Sequence, residues 1–504
     1  MNTNVYGVIF VWLSLLLVLG CSDAELENQS EQNDPDQNQN QNQNQPNSTE
    51  NNSEEDDVIE ALRELVEQRD LQPLSEPPPQ DPAKVELGHN LFFDPILSGN
   101  KDANCAFCHQ MDEATADEFS ISAGTTSVRD EHGDRRPGPE LSFTPRISPD
   151  IFNRGHESLR TMFWDARVEQ LDDGRIVFHE RSYPQMDGHY YRILPEEADN
   201  LLAAQNLLPV HDRDELRGHH GIPDIFGEFN EVAAVPNHSV EGTWNALIAR
   251  LIEIEGYQEL FEEIYPEIEL EDLHFVHATN GLAAFFIDTF SFTDAPWDEF
   301  LRGDDEALTD EQARGAKLFY GDAGCSSCHG GEIFTDQELY NWGVPPKTKG
   351  PETLDYLDRG AAHRSHAGPD RYFHFRTPPL RNVELTGPYM HNGVYETLED
   401  VIRHKIDPIE SLWNYDSSHL GPIFRQQVHN NEDSLAAVES TISSQVLTIP
   451  EMSDDEISDL IAFLKSLTSP SARDLEHVEL DSVPSGLEIP DPKNRPWAHE
   501  QDLD

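Results

Sequence analysis

The sequence has few basic residues, few cysteines and no long apolar run. Its 504 residues include 34 Lys and Arg against 96 Asp and Glu, a formal net charge of −62. Such a charge repels a polyphosphate, so nucleic-acid binding is excluded. Five cysteines in a chain of this length exclude a disulfide scaffold. No apolar stretch reaches the roughly 18 residues that a membrane-spanning helix needs.

The first 57 residues predict an export signal and a tether. Val5–Leu19 is an apolar run of 15 residues, which is typical of a signal peptide. The stretch Val18-Leu19-Gly20-Cys21 resembles a bacterial lipoprotein box. Residues 1–20 are therefore the predicted signal peptide, Cys21 the predicted lipid anchor, and the periplasm or cell surface the predicted location. An ordinary secretory signal is the alternative, because the leading MNTN lacks Lys and Arg. Residues 21–57, rich in Asn, Gln and acidic residues, predict a disordered tether.

The body of the chain reads mainly as helix and loop. Apolar spacing predicts helices at Val58–Arg69, Glu241–Glu263, Phe275–Thr289 and Thr309–Phe319, with Ser291–Leu308 as a linker. Strand-like alternation is sparse. One pattern, a helix ending in Leu-Phe-Phe or Leu-Phe-Tyr followed by a loop and Cys-x-x-Cys-His, occurs twice, which indicates an internal duplication. We expect an N-terminal domain at 58–303, a C-terminal domain at 304–470 and an acidic, Pro-containing tail at 471–504.

The two Cys-x-x-Cys-His sequences are typical of covalent c-type haem attachment. In this chemistry the thiols bond to the two vinyl groups of one porphyrin, and the adjacent His ligates the iron. A zinc ribbon is disfavoured because its cysteine pairs stand about 15–20 residues apart, whereas Cys108 and Cys325 are 217 apart. Neither a thioredoxin-like redox pair nor two disulfides would require the histidine that follows each cysteine pair. The predicted ligands of two haems are Cys105, Cys108 and His109, and Cys325, Cys328 and His329, with His109 and His329 on the irons.

With these motifs in place, the chain resembles the bacterial di-haem cytochrome c peroxidase/MauG family from about Lys84 to Leu467. The similar segments are LGHNLFFDPILSGNKDANCAFCH, Phe163-Trp164-Asp165-Ala166-Arg167, AGCSSCHGG, and the signature that runs from Phe375 to Gly393. The resemblance implies two cytochrome c-like helical domains, with a peroxide site at the first haem and electron entry at the second.

The resemblance also implies roles for single residues. Trp164 matches the tryptophan that lies between the haems of the family. Gln205, Pro209 and Glu215 match the spacing of its peroxide pocket. There a carboxylate moves a proton between the peroxide oxygens, and the Gln orients the bound peroxide.

Four features depart from the family pattern. Where some members have a His that caps the first iron, this chain has Thr125, and His132 is the nearest histidine, so an open iron is expected. In the family a Met or a Tyr ligates the second iron, and its position aligns with Lys405, which is next to His404. Lys405 is therefore the expected sixth ligand. The alternative is that Lys405 is exposed and the ligand lies elsewhere. Family members bind a calcium ion through residues that match Thr386 and Pro388. The Asn that also ligates this ion in the family has no clear match here, so the predicted calcium site is incomplete. An insertion within 165–204 carries residues that short family members lack: His179, Tyr183, His189, Tyr190 and Tyr191.

The remaining histidines are expected on the surface or in loops rather than at a further metal site. They include His219, His220, His363 and His366.

Three functions compete at this stage. The first is a peroxidase that reduces hydrogen peroxide to water with electrons from a small redox protein, a cytochrome c or a cupredoxin. The second is a MauG-like enzyme that oxidises side chains of a partner protein. The third is a di-haem electron carrier without catalysis, against which Gln205 and Glu215 argue. A homodimer is compatible with each of them.

Overall fold

The structure is a computed structural model that describes residues 51–117, 119, 122, 124–125, 127–129, 135–137, 144, 146–184, 190–347, 357–363 and 369–491. The predicted signal peptide and Cys21 lie outside these residues. Helices dominate the described part, as expected. They are α1 (Asn51–Arg69), α2 (Pro82–Phe93), α3 (Leu201–Gln205), α4 (Glu231–Ala234), α5 (Val240–Leu251), α6 (Glu255–Ile264), α7 (Phe275–Phe290), α8 (Pro296–Leu301), α9 (Asp310–Tyr320), α10 (Leu398–Ile406), α11 (Pro408–Trp413), α12 (Pro422–Arg425), α13 (Glu432–Glu439) and α14 (Asp454–Lys465). No described helix is both long and apolar enough to cross a membrane.

The first core forms where α2 packs against α7. A Cβ on Gly88 would lie 2.0 Å from the carbonyl oxygen of Gly281, so the two backbones are in direct contact. Phe92 on α2 meets Phe285 and Phe290 on α7 in tilted ring contacts, and the latter two rings meet each other edge-on. Both cysteines of the first Cys-x-x-Cys-His motif pack against this core.

The second core repeats this arrangement with α9 and α14. A Cβ on Gly315 would lie 1.9 Å from the Asp459 carbonyl oxygen, and Phe319 packs on Phe463 with ring centres 5.0 Å apart. In each core a Cys-x-x-Cys-His motif follows the first helix of the close pair. This repetition agrees with the duplication that the sequence indicated. Helix α1 begins at Asn51, inside the predicted tether, and its Leu62 is buried in this second core.

Two helical segments differ from their predicted bounds. The predicted helix Glu241–Glu263 is two helices, α5 and α6, because Ile254 between them has extended backbone angles (φ −102°, ψ 116°). The predicted linker Ser291–Leu308 contains α8, which begins at Pro296. Proline suits a first helical position because the amide hydrogen that it lacks would have no partner there.

The insertion after Trp164 forms an antiparallel sheet that the sparse alternation did not predict. Its order is β3 (Thr161–Met162), β4 (Val168–Gln170), β5 (Ile176–Pro184) and β6 (Tyr190–Ile193). Val168 pairs with Phe178, and Val177 pairs with Ile193. Strands β3 and β4 pack on α3. The remaining described strands form two small ribbons: β1 (Ser127–Arg129) with β2 (Arg135–Pro137), and β7 (Leu339–Tyr340) with β8 (Phe375–Arg376).

The chain after α14 returns to the first core. Leu475, Val478 and Val483 are buried in that core. The Ser485 hydroxyl donates to Asp94 Oδ1 (2.7 Å), and the Tyr257 hydroxyl donates to Asp94 Oδ2 (2.7 Å). The tail therefore connects the end of the second core to the first core through buried contacts.

Candidate active site

The first Cys-x-x-Cys-His sequence forms a short turn that fixes the orientation of His109. Cys105–Phe107 is one 3₁₀ turn, and the backbone N–H of His109 donates to the Cys105 carbonyl (3.0 Å). His109 Nδ1 lies 2.9 Å from the Thr115 carbonyl oxygen. Because a carbonyl can only accept, Nδ1 carries the proton and Nε2 keeps the lone pair that binds a metal. Burial lowers the pKa of His109, so the imidazole is neutral.

The second Cys-x-x-Cys-His sequence has the same local geometry. Cys325–Ser327 is a 3₁₀ turn, and the His329 backbone N–H donates to the Cys325 carbonyl (2.9 Å). His329 Nδ1 lies 3.0 Å from the Phe334 carbonyl oxygen, which again leaves Nε2 with its lone pair. Burial lowers the pKa of His329 to about 4. None of the four described cysteines forms a disulfide.

Each motif opens onto a large cavity. About 1230 Å³ of space without atoms, part of it open to solvent, lies beside Cys105, Cys108 and His109. A second space of about 1400 Å³ lies beside Cys325 and His329. A covalent c-type haem requires two thiols, an imidazole with an available Nε2 and mainly apolar walls. The residues of both cavities therefore fit one c-type haem each.

The three residues expected to form the peroxide pocket all line the first cavity. Gln205 is the last residue of α3, Pro209 begins a 3₁₀ turn, and Glu215 lies in the five-residue π-helix Arg213–Arg217. The backbone of Glu215 packs tightly against Gly124, because a Cβ on Gly124 would lie 2.2 Å from the Glu215 carbonyl oxygen. The spacing in the sequence thus corresponds to proximity in the structure.

Glu215 is a carboxyl group that favours its protonated form. Burial raises its pKa to about 8, the neighbouring Asp212 carboxylate adds to the increase, and Arg167 opposes it. At neutral pH the side chain therefore holds a proton beside the His109 cavity. A proton donor at this position is what cleavage of an O–O bond needs.

Trp164 lines both cavities. Its indole N–H donates to the Ile147 carbonyl (3.2 Å), and its own carbonyl accepts from the Arg376 backbone N–H (2.7 Å). The next residue, Asp165, forms an ion pair with Arg146 (2.6 Å). These contacts fix the indole between the two cavities, which is where the resemblance expects it.

Lys405 is not exposed, because it lines the second cavity from helix α10. Its Nζ lies 3.4 Å from the centre of the Trp342 ring, and burial lowers the pKa of Lys405 to about 8. The neighbouring His404 is engaged elsewhere: its Nδ1 lies 2.8 Å from the Tyr395 hydroxyl and its Nε2 lies 3.0 Å from the Trp342 carbonyl. Of these two candidates, only Lys405 lines the cavity.

Thr125 has a structural role. Its hydroxyl donates to Asp102 Oδ1 (2.5 Å) and accepts from the Asn100 amide (2.9 Å), so the side chain belongs to a buried network. His132 lies outside the described residues. Thr125 therefore offers no ligand to the first iron.

The other expectations from the sequence have mixed outcomes. Thr386 and Pro388 line the second cavity, and the described residues contain no group of three His, Cys, Asp or Glu suited to a metal, so calcium stays a prediction. His219 is partly exposed beside Asp214 (3.0 Å), and His220 is exposed. Within the insertion, His179 is buried and lies 2.6 Å from Glu169. His189, His366 and the side chains of Tyr183, Tyr190, Tyr191 and His363 lie outside the described residues.

Three arginines at the cavities were not singled out from the sequence. Arg146, Arg154 and Arg376 all line the first cavity, and the last two also line the second. Arg376 stands in the Phe375–Gly393 signature, and Arg146 precedes Ile147-Ser148-Pro149, so both lay within segments already compared with the family. Their positions at the cavities depend on tertiary contacts that no spacing reveals.

The comparisons with known proteins agree with this geometry. The family described as di-haem cytochrome c peroxidase matches residues 82–306. Cytochrome c551 peroxidase of Pseudomonas aeruginosa is 28% identical over 345 residues, 68% of this chain and 76% of that protein. Cytochrome-c peroxidase IdrP2 of Pseudomonas sp. (strain SCT) is 26% identical over 358 residues, 66% and 76%. Methylamine utilization protein MauG of Paracoccus denitrificans is 28% identical over 414 residues, 77% and 89%.

A solved structure supports the fold in the same way. The crystal structure of a MauG-like protein associated with microbial copper homeostasis superposes with a TM-score of 0.52 at 24% identity, covering 81% of this chain and 96% of that one. The expected fold class, mainly helical with two cytochrome c-like parts, is confirmed. The expected cofactors, two covalent c-type haems, are confirmed as well.

Proposed function

We propose that this protein reduces hydrogen peroxide to water in the His109 cavity, because residues 82–306 match the family described as di-haem cytochrome c peroxidase. The observation that carries this proposal is the position of Glu215, whose pKa burial raises to about 8, in the wall of that cavity together with Gln205 and Pro209. Cys105, Cys108 and His109 would hold a haem, which would supply the iron at which peroxide is reduced. Reduction of one peroxide to two waters consumes two electrons and two protons.

Two side chains of the cavity handle the peroxide and its protons. The carboxyl group of Glu215 donates a proton to the peroxide oxygen that leaves as water, and protonated solvent restores it. The Gln205 side-chain amide donates a hydrogen bond that orients the bound peroxide. Pro209 and Leu216 also line this pocket.

Electrons enter at the second cavity. Cys325, Cys328 and His329 would hold a second haem, which would supply a one-electron acceptor for a small redox protein, a cytochrome c or a cupredoxin. Trp164, which lines both cavities, shortens the distance that electrons cross through protein. We propose that Lys405 would ligate the second iron, because it lines that cavity.

A MauG-like oxidation of a partner protein is the second candidate. Trp164 in the wall of both cavities favours it, since an aromatic ring in that position also allows oxidising equivalents to spread over both haems. A pure electron carrier is disfavoured, because it has no use for an acid at the His109 cavity. For either enzyme we propose export to the periplasm or cell surface, with Cys21 as a lipid anchor.

The proposal is tested with Glu215→Gln in the two-haem protein. Turnover of peroxide with a reduced donor protein should fall by about 10²–10⁴-fold, the usual contribution of general acid–base catalysis, while both haem spectra stay unchanged. Glu228→Gln is the matched control, because Glu228 is an exposed carboxylate outside both cavities. Equal turnover of the two variants would refute the role of Glu215.

A further inference from the structure

Two arginines, Arg154 and Arg376, lie in the wall that the two haem cavities share. Each of them lines both cavities. They are 8% and 7% exposed, so both guanidinium groups are almost wholly removed from bulk water. A buried cation is costly unless an anion or several hydrogen bonds compensate it.

Arg376 is held by backbone carbonyls rather than by an ion pair with a carboxylate of the described residues. Its Nε donates to the Phe163 carbonyl (3.1 Å) and its Nη1 donates to the Thr161 carbonyl (3.0 Å). Burial lowers the pKa of Arg376 to about 9, the nearby Arg154 adds to this effect, and Asp150 and Asp165 oppose it. The positive charge of this arginine is therefore only partly balanced.

Arg154 is only partly compensated. Its Nη2 forms an ion pair with Asp150 Oδ2 (2.7 Å) and its Nε donates to the Asp150 carbonyl (3.0 Å). Its third nitrogen, Nη1, is buried and has no hydrogen-bond partner in the described part of the chain. Of these two guanidinium groups only that of Arg154 is in direct contact with a carboxylate, and its Nη1 donor is unused.

We propose that Arg154 and Arg376 form an anion site in the shared wall, and that it binds propionate carboxylates of both haems. A haem carries two propionates on the edge opposite its vinyl groups, and the cysteines of each cavity bond to the vinyl edge. Guanidinium groups are suited to carboxylates because they present parallel N–H donors with a permanent charge. The inference concerns the cofactors and holds for whichever reaction they support.

The other two arginines of the first cavity do not have this property. Arg146 forms ion pairs with both Asp165 (2.6 Å) and Asp358 (2.7 Å), so two carboxylates compensate it. Arg167 lines only the first cavity and its side chain is 28% exposed. The partly unbalanced charge is therefore confined to the wall between the haems.

The test is a spectroelectrochemical titration of the two-haem protein and its variants. A positive charge near a haem stabilises the reduced iron, so Arg376→Gln and Arg154→Gln should each lower the midpoint potentials of both haems. Resonance Raman spectra should show shifted propionate bending bands. Arg250→Gln is the matched control, because Arg250 is also buried and bound to backbone carbonyls but lines neither cavity. It should leave both potentials unchanged.

Unchanged potentials and propionate bands in both glutamine variants would overturn the proposal, and a shift confined to one haem would show that the site is not shared. If the glutamine variants do not retain two haems, Arg376→Lys replaces them, because it keeps the charge and loses the planar donor pair. Shifted propionate bands with small changes in potential then support the proposal, and native bands overturn it.

Discussion

At the scale of single residues, the raised pKa of Glu215 predicts the pH dependence of catalysis. The acid form of a carboxyl group with a pKa of about 8 is present below that pH and is lost above it. Peroxide turnover should therefore be level around neutral pH and fall as the pH rises through about 8. In Glu215→Gln this decline should be absent from the residual activity. A decline that persists in the variant would assign it to another group.

Trp164 carries the second prediction at this scale. Trp164→Leu removes the only described indole that lines both cavities. Reaction of the reduced protein with one equivalent of peroxide should proceed almost as in the parent, because Glu215 and the first cavity are retained. Steady-state turnover with a protein donor should fall strongly, because electrons no longer cross efficiently.

Stopped-flow spectra of both reactions measure this difference. Trp413→Leu is a suitable control, since Trp413 is a half-exposed indole outside both cavities. Normal steady-state turnover of Trp164→Leu would make Trp164 a packing residue.

The sequence predicted some of these residues and not others, for a physical reason. His109, His329, Gln205 and Glu215 stand in motifs whose spacing is set by one turn or one short loop, so a linear pattern identifies them. The proposed role of Arg154 and Arg376 depends on the charged and polar groups that surround their guanidinium groups. Their partly unbalanced charge became visible only when the partners from Asp150, Thr161 and Phe163 were known.

At the scale of elements, the close pair α2 and α7 holds the first cavity together. Gly88→Ala should destabilise the protein, because the new methyl group would lie 2.0 Å from the Gly281 carbonyl oxygen. Overpacking of this kind costs about 1–3 kcal/mol, which exceeds the roughly 1 kcal/mol that Ala gains over Gly in a helix. Thermal unfolding followed by circular dichroism measures the effect.

The control for this change is Glu262→Ala on the exposed side of α6. Its melting temperature should equal that of the parent within error. A Gly88→Ala protein as stable as this control would show that α2 and α7 can separate at no cost, contrary to the packing described.

Helices were more predictable than strands in this chain. Helix α7 has sixteen residues and a continuous apolar pattern, which local sequence identifies. Strands β3 and β4 have only two and three residues, too few for an alternation to be recognised. Their pairing depends on α3 and β5, so the sheet is determined by tertiary packing and was missed.

At the scale of the whole molecule, the two haem sites are parts of one connected structure. The chain passes from the first core to the second and then returns, and the tail residues Leu475, Val478 and Val483 are buried in the first core. The shared wall with Trp164, Arg154 and Arg376 lies between the two cavities. This arrangement keeps the proposed acid site and the proposed electron-entry site within one connected structure.

The most direct test of the account is the ratio of oxidised donor protein to peroxide consumed. The two-haem protein is mixed with excess reduced cytochrome c and a limiting amount of hydrogen peroxide, and both are followed by absorbance while an electrode records dioxygen. Two donor molecules should be oxidised for each peroxide, with no dioxygen released. Peroxide loss without donor oxidation, or with release of dioxygen, would contradict the claim that this protein is a donor-dependent peroxidase.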